Sequence, residues 1–517
     1  MKLLPLENER TYLKMSIFQN PIEPPKIIKG WIDNKENHGS GVEMPVFYPG
    51  NGQQVSVLIE DTAEDVDKAV QSARKAFEAT SWRKLSVEKR IEILESCRQV
   101  ILDNIEELAR LECLGTGLIL REIKGFHLHR AAYNFRFFAQ YISQAHGERY
   151  DNTDGYLTLV NREPAGVVGL IAPWNAPMAL ATMKIAAAIA FGNCAILKPS
   201  EQTPFSLVRL ANLLKDILPD GVLNLVNGRG PVTGAHLVGH TGVDRISFTG
   251  GTITGRQVMM AAGKQLTPCT MELGGKSANI VFASADYQRA LDGALIGIFS
   301  NNGQQCLAGS RILVEAKIFD QFVEEFSRRT KNIIVGDPLK EETEIGPIAS
   351  KQHMERILSF AKNAERDGDK LLVGGHRLME EKDGYFIEPT AVLANSNNSR
   401  SCQEEIFGPF ASFIPFKSEE EAISIANDTE FGLVSYVWSD HLPTIMKMSD
   451  AMRSGVVWVN TPMMRELRAP FGGFHNSGVG REGGYSCEQF YTEEKTVSIP
   501  KTPLNLRKFG DKVSESD

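Results

Sequence analysis

Four segments of this 517-residue chain carry residues whose types and spacing suit one kind of chemistry. In Asn302–Arg311 (NGQQCLAGSR), Gly303 and the polar pair Gln304 and Gln305 set Cys306 on a turn ahead of an apolar run. A thiol on a polar, glycine-flanked turn is better placed to ionise and attack than one inside an apolar stretch, such as Cys194. In Met271–Lys276 (MELGGK), Glu272 ends an apolar strand just before two glycines. A half-buried carboxylate there has a raised pKa and can accept a proton near neutrality. In Pro173–Pro177 (PWNAP), Asn175 sits between two prolines at a strand end, a rigid amide donor of the kind an oxyanion needs. In Leu197–Glu201 (LKPSE), a cation, a hydroxyl and a carboxylate at another strand end suit a ribose. Each segment alone has an ordinary explanation: an inert buried thiol, a capping carboxylate, a plain turn. Their conjunction supplies a nucleophile, a base and an oxyanion donor.

Other candidate motifs fail. MELGGKS ends like a P-loop, but the first glycine of G-x-x-x-x-G-K-[ST] falls on Thr270. Phe248–Gly255 (FTGGTITG) is glycine-rich without being G-x-G-x-x-G, so a dinucleotide would bind without the usual fingerprint. His127 and His129 have no nearby Cys or His and read as surface or packing histidines. The seven cysteines contain no C-x-x-C, so neither a zinc site nor a disulfide framework is expected, and no metal is assigned.

The elements that must position these residues follow from periodicity. Apolar residues at helical spacing predict amphipathic helices over Asp61–Thr80 and Ser86–Leu111. From Gly166 short apolar runs alternate with helices: strands at Gly166–Pro173, Cys194–Pro199, Leu223–Gly228 and Arg245–Gly250, and helices at Met178–Phe191, Phe205–Leu218 and from Thr252. The alternation resumes at Ala278–Phe282, Tyr287–Phe299, Ile312–Glu315 and Phe319–Lys331, with Val456–Asn460 as a last strand. Such alternation predicts parallel sheets covered on both faces, with ligands beyond the carboxyl ends of the strands. Tyr491–Pro500 reads as an extended arm able to pair with a partner chain's sheet edge.

Composition excludes several classes. Fifty-six Lys and Arg against 64 Asp and Glu give a net charge of −8, which offers nucleic acid no global attraction. With 42% hydrophobic and 23% charged residues the chain is of globular composition. Met1–Asn20 lacks an apolar core of signal-peptide length, and the apolar stretch Gly166–Met183 is broken by Pro173, Asn175 and Pro177. Free thiols and the lack of a span make a cytoplasmic location the expectation, with no membrane partner.

At this point the sequence resembles the aldehyde dehydrogenase superfamily. The resemblance runs from about Trp31 to Pro500 through PWNAP, LKPSEQTP, FTGGTITG, MELGGKS, NGQQC, EEIFGPF and PFGGFHNSGVGREGG, in order. It implies an α/β fold with a Rossmann-like parallel-sheet NAD-binding domain over residues 1–146 and 166–274. An α/β catalytic domain would span 275–476, a small β oligomerisation arm 147–165 and 489–502, and a C-terminal tail 503–517. It implies Cys306 as nucleophile, Glu272 as general base, Asn175 with the Cys306 amide as oxyanion donors, and Lys184 with Glu482 as a proton relay. NAD is the implied cofactor, contacted by Trp174, Lys198, Ser200, Glu201, Gly250, Gly251, Thr252, Gly255, Leu273, Glu405 and Phe407. Gly251 departs from the family's common serine and removes one hydroxyl near the phosphates. Glu201 favours NAD over NADP because a carboxylate would repel a 2′-phosphate. Glu272 favours hydrolysis over acyl transfer to coenzyme A.

Val459–Gly473 (VNTPMMRELRAPFGG) carries Arg465 and Arg468, and Arg130 lies in HRAAYNFRFFAQ. This combination resembles the branch that oxidises 2-hydroxymuconate and 5-carboxymethyl-2-hydroxymuconate semialdehydes. Arg130, Arg465 and Arg468 would then bind a substrate carboxylate through paired hydrogen bonds. The alternative is that Arg468 pairs with Glu466 or Glu482 and only holds the loop. Competing readings are a broad-specificity aldehyde dehydrogenase, a non-catalytic relative of the fold, and a thiol hydrolase using Cys306 with His475. The arm implies a homodimer that pairs into a homotetramer.

Overall fold

The computed structural model describes residues 18–151, 155–380 and 383–510. Residues 1–17 of the assigned NAD-binding domain, 152–154 of the assigned arm, 381–382 of the assigned catalytic domain and 511–517 of the assigned tail lie outside them.

Thr62 opens the helix Ala63–Glu78 through a capping box with Asp65, and Val66, Ala69, Val70, Ala73 and Phe77 bury its inner stripe. The helix expected over Ser86–Leu111 is two helices, Val87–Asp103 and Ile105–Thr116. They break at Asn104 (φ −115°, ψ 23°), whose side-chain amide donates to the Val100 carbonyl at 2.8 Å. A short polar side chain bonding its own backbone ends a helix in this way.

The first large sheet has eight strands. Its five central strands are parallel, in the order Cys269–Glu272, Arg245–Thr249, Val167–Ile171, Cys194–Lys198, Leu223–Leu225. The expected parallel sheet therefore stands, but with antiparallel edges: Gly30–Ile32 and Lys35–Asn37 on one side, Gly478–Val479 on the other. The chain enters at Val167–Ile171, builds outward one way, then crosses to Arg245–Thr249 on the other side. This reversal leaves a crevice at the strands' carboxyl ends.

The second sheet has seven strands, six parallel, in the order Lys370–Val373, Thr390–Leu393, Phe410–Phe416, Arg311–Glu315, Ala278–Val281, Val434–Trp438, Val456–Val459. A small sheet formed by Ile27–Ile28, Gln54–Ile59 and Glu43–Phe47 was not legible as such in the sequence. The arm strand Thr492–Pro500 pairs in register with Tyr156–Pro164 of its own chain, which pairs with Glu148–Asp151. Thr492–Pro500 is thereby an edge strand of this three-stranded sheet. No helix among the described residues is long and apolar enough to cross a membrane.

Candidate active site

Cys306 rides on a backbone that few residues adopt. Asn301, Asn302 and Gly303 take φ of 56°, 56° and 69° in succession. A side chain on Gly303 would run into the main chain of Gly408 and Pro409. The turn is held from outside: Asn302 accepts the Gly346 amide at 2.8 Å and donates to Pro347 O at 3.0 Å, and Gln304 Oε1 accepts the Ala349 amide at 3.0 Å. Asn175 Nδ2 donates to Gln304 O at 2.8 Å, and Asn301 Nδ2 donates to Asn175 O at 2.9 Å. One hydrogen of the Asn175 amide therefore fixes the turn and the other remains for a ligand. Burial pushes the Cys306 thiol up to about 12, reinforced by Glu405 and Glu272, while Arg465 pulls it down.

Glu272 ends the strand Cys269–Glu272, next to the edge strand Gly478–Val479. Both its oxygens are buried without a hydrogen-bond partner. Burial, then the nearby Glu482, hold its carboxyl well above the usual range. Behind it lies a buried ion pair: Lys184 Nζ stands 2.6 Å from Glu482 Oε1. Lys184 comes from the buried helix Pro177–Ala190 and Glu482 from the loop after Gly478–Val479. Glu482 titrates low, because Lys184, Arg465 and Arg130 together outweigh its burial. Glu112 caps the first turn of that helix, accepting the Met178 amide at 3.2 Å and the Ser206 hydroxyl at 2.6 Å.

A groove of about 570 Å³ runs from Cys306 along the strand ends. Cys306, Glu272 and Asn175 line it, with Trp174, Lys198, Ser200, Glu201, Gly250, Gly251, Leu273, Glu405 and Phe407. The polar donors and acceptors suit an elongated dinucleotide. Gly251 caps the twelve-residue helix Thr252–Gly263, and nothing lies within 4 Å of where its Cβ would point, so the helix start is open to a phosphate. Lys198 Nζ lies 3.6 Å from Glu201 Oε2. Glu405 accepts the Gly275 amide at 2.9 Å and is raised to about 6 by burial.

Two of the residues expected to contact the cofactor do not line the groove. The Thr252 hydroxyl donates to Asn476 O at 3.1 Å, and neither Thr252 nor Gly255 is among the lining residues. Gly255 instead lets its helix sit on Leu273, whose methyl would lie 2.5 Å from an added Cβ. Thr254 and Gln257, one turn on, take the groove-facing positions and were missed by sequence reasoning. So was His353, which packs against Trp174 at 5.4 Å and bonds Phe407 O through Nε2 at 2.7 Å. Burial pulls His353 down to about 4, keeping it neutral. His475, the alternative base for a thiol hydrolase, is exposed on the ribbon Phe474–His475 and does not line the groove.

The three arginines part company. Arg465 lies over the Phe471 ring, and its Nε and Nη2 are buried without a hydrogen-bond partner. Its approach to Glu482 Oε2 is only 3.7 Å. Arg130 Nε is likewise buried and unpartnered, and its charge is felt by Arg465, Glu482 and Cys306. Arg468 does not join them: it is exposed and forks onto Glu466, at 2.9 and 2.8 Å. Away from the groove, Asp67, His236 and His240 gather on the surface, the two Nε2 atoms 2.7 and 3.2 Å from one Asp67 oxygen. His240 Nδ1 accepts the Gly242 amide, so its Nε2 carries the proton and faces Asp67 as a donor.

Comparison with known proteins places this geometry. The Aldehyde dehydrogenase family profile matches residues 35–497. Human retinal dehydrogenase 2 is 39% identical over 478 residues, 92% of each chain. The crystal structure of HpcC from Thermus thermophilus superposes with a TM-score of 0.89 at 39% identity, covering 93% of this chain and 95% of that one. Betaine aldehyde dehydrogenase from Staphylococcus aureus, solved with NAD+, gives a TM-score of 0.91 at 35% identity, covering 94% and 97%. A cysteine on a strained turn, a buried carboxylate beneath it and a dinucleotide-sized groove thus recur in a chain that belongs to the aldehyde dehydrogenase family.

Proposed function

We propose that this aldehyde dehydrogenase oxidises a carboxylated semialdehyde, of the 5-carboxymethyl-2-hydroxymuconate type, to the diacid. The enzyme is an NAD-dependent aldehyde oxidoreductase, and NAD when bound supplies the hydride acceptor. Lys198 and Glu201 would hold its adenosine ribose, the Gly250–Gly251 turn its pyrophosphate, and Glu405 its second ribose.

The chain's own residues do the rest. The Cys306 sulfur attacks the aldehyde carbon once its proton has left, and Arg465 is the cation that favours the thiolate. Asn175 Nδ2 and the Cys306 amide donate to the oxyanion; no main-chain carbonyl among the described residues takes that amide. Loss of hydride leaves a thioester on Cys306. Glu272 takes a proton from water, the water oxygen bonds the acyl carbon, and the carbon–sulfur bond breaks. One aldehyde, one NAD+ and one water thus give one carboxylate, one NADH and two protons: one leaves the water through Glu272 toward Lys184 and Glu482, the other leaves the new carboxylic acid.

The observation that carries the substrate class is the pair of guanidiniums beside the thiol. Arg130 and Arg465 hold three buried, unpartnered nitrogens between them, with Glu482 as their shared counter-charge. Buried donors are costly unless a ligand satisfies them, and a substrate carboxylate does so. The net charge of −8 would repel a dianion at long range, so recognition falls to these two residues. The arm sheet, exposed over most of its length, supports a dimer that pairs further.

The test is NADH formation with hydroxymuconate-type semialdehydes, succinate semialdehyde, benzaldehyde and acetaldehyde. A higher kcat/KM for the carboxylated members is expected. Preference for acetaldehyde or benzaldehyde would return the enzyme to a broad-specificity role.

A further inference from the structure

Ser247 lies in the strand Arg245–Thr249, fully buried beneath the catalytic groove, and has no part in the chemistry described so far. Its hydroxyl is surrounded by polar groups. Lys184 Nζ donates to Ser247 Oγ at 2.9 Å, and Thr270 Oγ1 donates to it at 3.2 Å. The Tyr491 phenol, at the root of the arm, faces the same hydroxyl. A serine oxygen has two lone pairs and one proton. Lys184 and Thr270 take the lone pairs, and the proton is free to point at Tyr491. The set is complete, and it fixes where the Lys184 ammonium can sit.

We infer that Ser247 is a positioning residue for thioester hydrolysis, holding the Lys184 ammonium between its own hydroxyl and Glu482 so that the cation stays within reach of Glu272. The inference rests on the reading of Lys184 and Glu482 as the relay that serves Glu272. Its physical content is simple. A buried ammonium has three hydrogens; Glu482 takes one at 2.6 Å and Ser247 another at 2.9 Å. Without the serine the ammonium swings toward Glu482, and Glu272 loses a stabilising charge just when it must give up its proton. The other charged and titratable groups around the pair are Arg465, Arg130, Arg481, Cys487 and Tyr491, of which Tyr491 faces the serine hydroxyl itself. The strand pairing also ties this position to catalysis: Thr249, two residues on, is registered against Glu272, and Ser247 against Thr270.

Ser247→Ala should leave the first-turnover burst of NADH within about twofold of wild type, with the aldehyde KM also little changed, because attack and hydride loss do not use the relay. Steady-state turnover should fall about tenfold, the size typical of weakened general-base catalysis. The acid limb of the kcat profile should move up by about half a pH unit, since Glu272 loses cationic support. Ser247→Cys, which keeps the volume and weakens the acceptor, should fall between. In a Lys184→Met background Ser247→Ala should add nothing, because both act through one ammonium. Equal loss of burst and turnover, or additive effects in the double variant, overturns the inference. If Lys184→Met itself leaves turnover unchanged, the relay reading fails instead; if it lowers turnover and Ser247→Ala does not, only the role of Ser247 fails. Melting temperature and NADH binding identify a variant that has simply misfolded.

Discussion

The Arg465 guanidinium lies with its central carbon 4.1 Å from the centroid of the Phe471 ring, yet leaves Nε and Nη2 without an acceptor. A planar cation is thereby fixed by stacking while its donors stay unspent. Arg465→Ala should lower kcat/KM for a carboxylated semialdehyde by roughly tenfold to a hundredfold, the loss of about 1.5–3 kcal/mol from charged hydrogen bonds. For a neutral aldehyde the loss should be several-fold smaller, reflecting only the weaker support of the Cys306 thiolate. Arg468→Ala should change neither by more than about twofold, since an exposed pair is worth at most about 1 kcal/mol. Steady-state kinetics on one charged and one neutral substrate decide it; equal losses for Arg465→Ala remove the carboxylate role.

Asn175→Ala removes the proposed oxyanion donor and one tie to the Cys306 turn. The barrier should rise by about 2.7–4 kcal/mol, a hundredfold or more in kcat. NAD binding, measured by fluorescence quenching, should be retained, because Asn175 is not among the groups that would hold the ribose or phosphates. Loss of NAD binding in parallel would point to collapse of the turn.

Gly303→Ala tests the turn itself. The position combines positive φ with contact against the Gly408–Pro409 main chain, so the turn must move. The variant should lose several kcal/mol of stability or fold with a displaced Cys306. Activity near wild type, with an unchanged melting temperature, would show that the turn is not held as described.

Stability should fall from pH 5 to pH 8 more steeply than surface charge predicts. Burial raises Glu112 to about 7 from an ordinary 4.5, and Asp61 moves the same way, also to about 7. Between the unfolded and folded values the native state holds a proton that the unfolded chain has released. Unfolding free energy therefore drops as pH rises through this window, by about 3 kcal/mol for Glu112. Glu112→Gln keeps the polar contacts to Met178 and Ser206 without the charge, so it should flatten the profile and raise the melting temperature at pH 8. Denaturant melts at the two pH values suffice; an unchanged slope in the variant refutes the assignment.

Much of this was legible because strand ends are local features. A short apolar run followed by Pro, Gly or a polar triplet marks where a parallel strand stops, and Asn175, Lys198 and Glu272 sit at such stops. Cys306 was legible from its polar turn, but the left-handed pair Asn301 and Asn302 was not read, although Asn-Asn-Gly is the signal for that backbone. His353 was invisible because it reaches Phe407 by tertiary packing of the helix Lys351–Asn363. Arg465 and Arg468 could not be separated, since a loop has no period to say which residue faces inward. The helix break at Asn104 was lost because apolar spacing continues across it.

Lys184 and Glu482 are 298 positions apart, and the strand that seals the edge beside Glu272 is Gly478–Val479. A ribosome therefore finishes most of the first lobe while Lys184 still lacks its counter-charge and the Cys269–Glu272 edge is bare. Chains cut before residue 478 should be recognised as unfinished, binding chaperone or aggregating rather than surviving as an inactive enzyme. The Lys184–Glu482 pair thus joins the first lobe to a segment translated after every strand of the second large sheet.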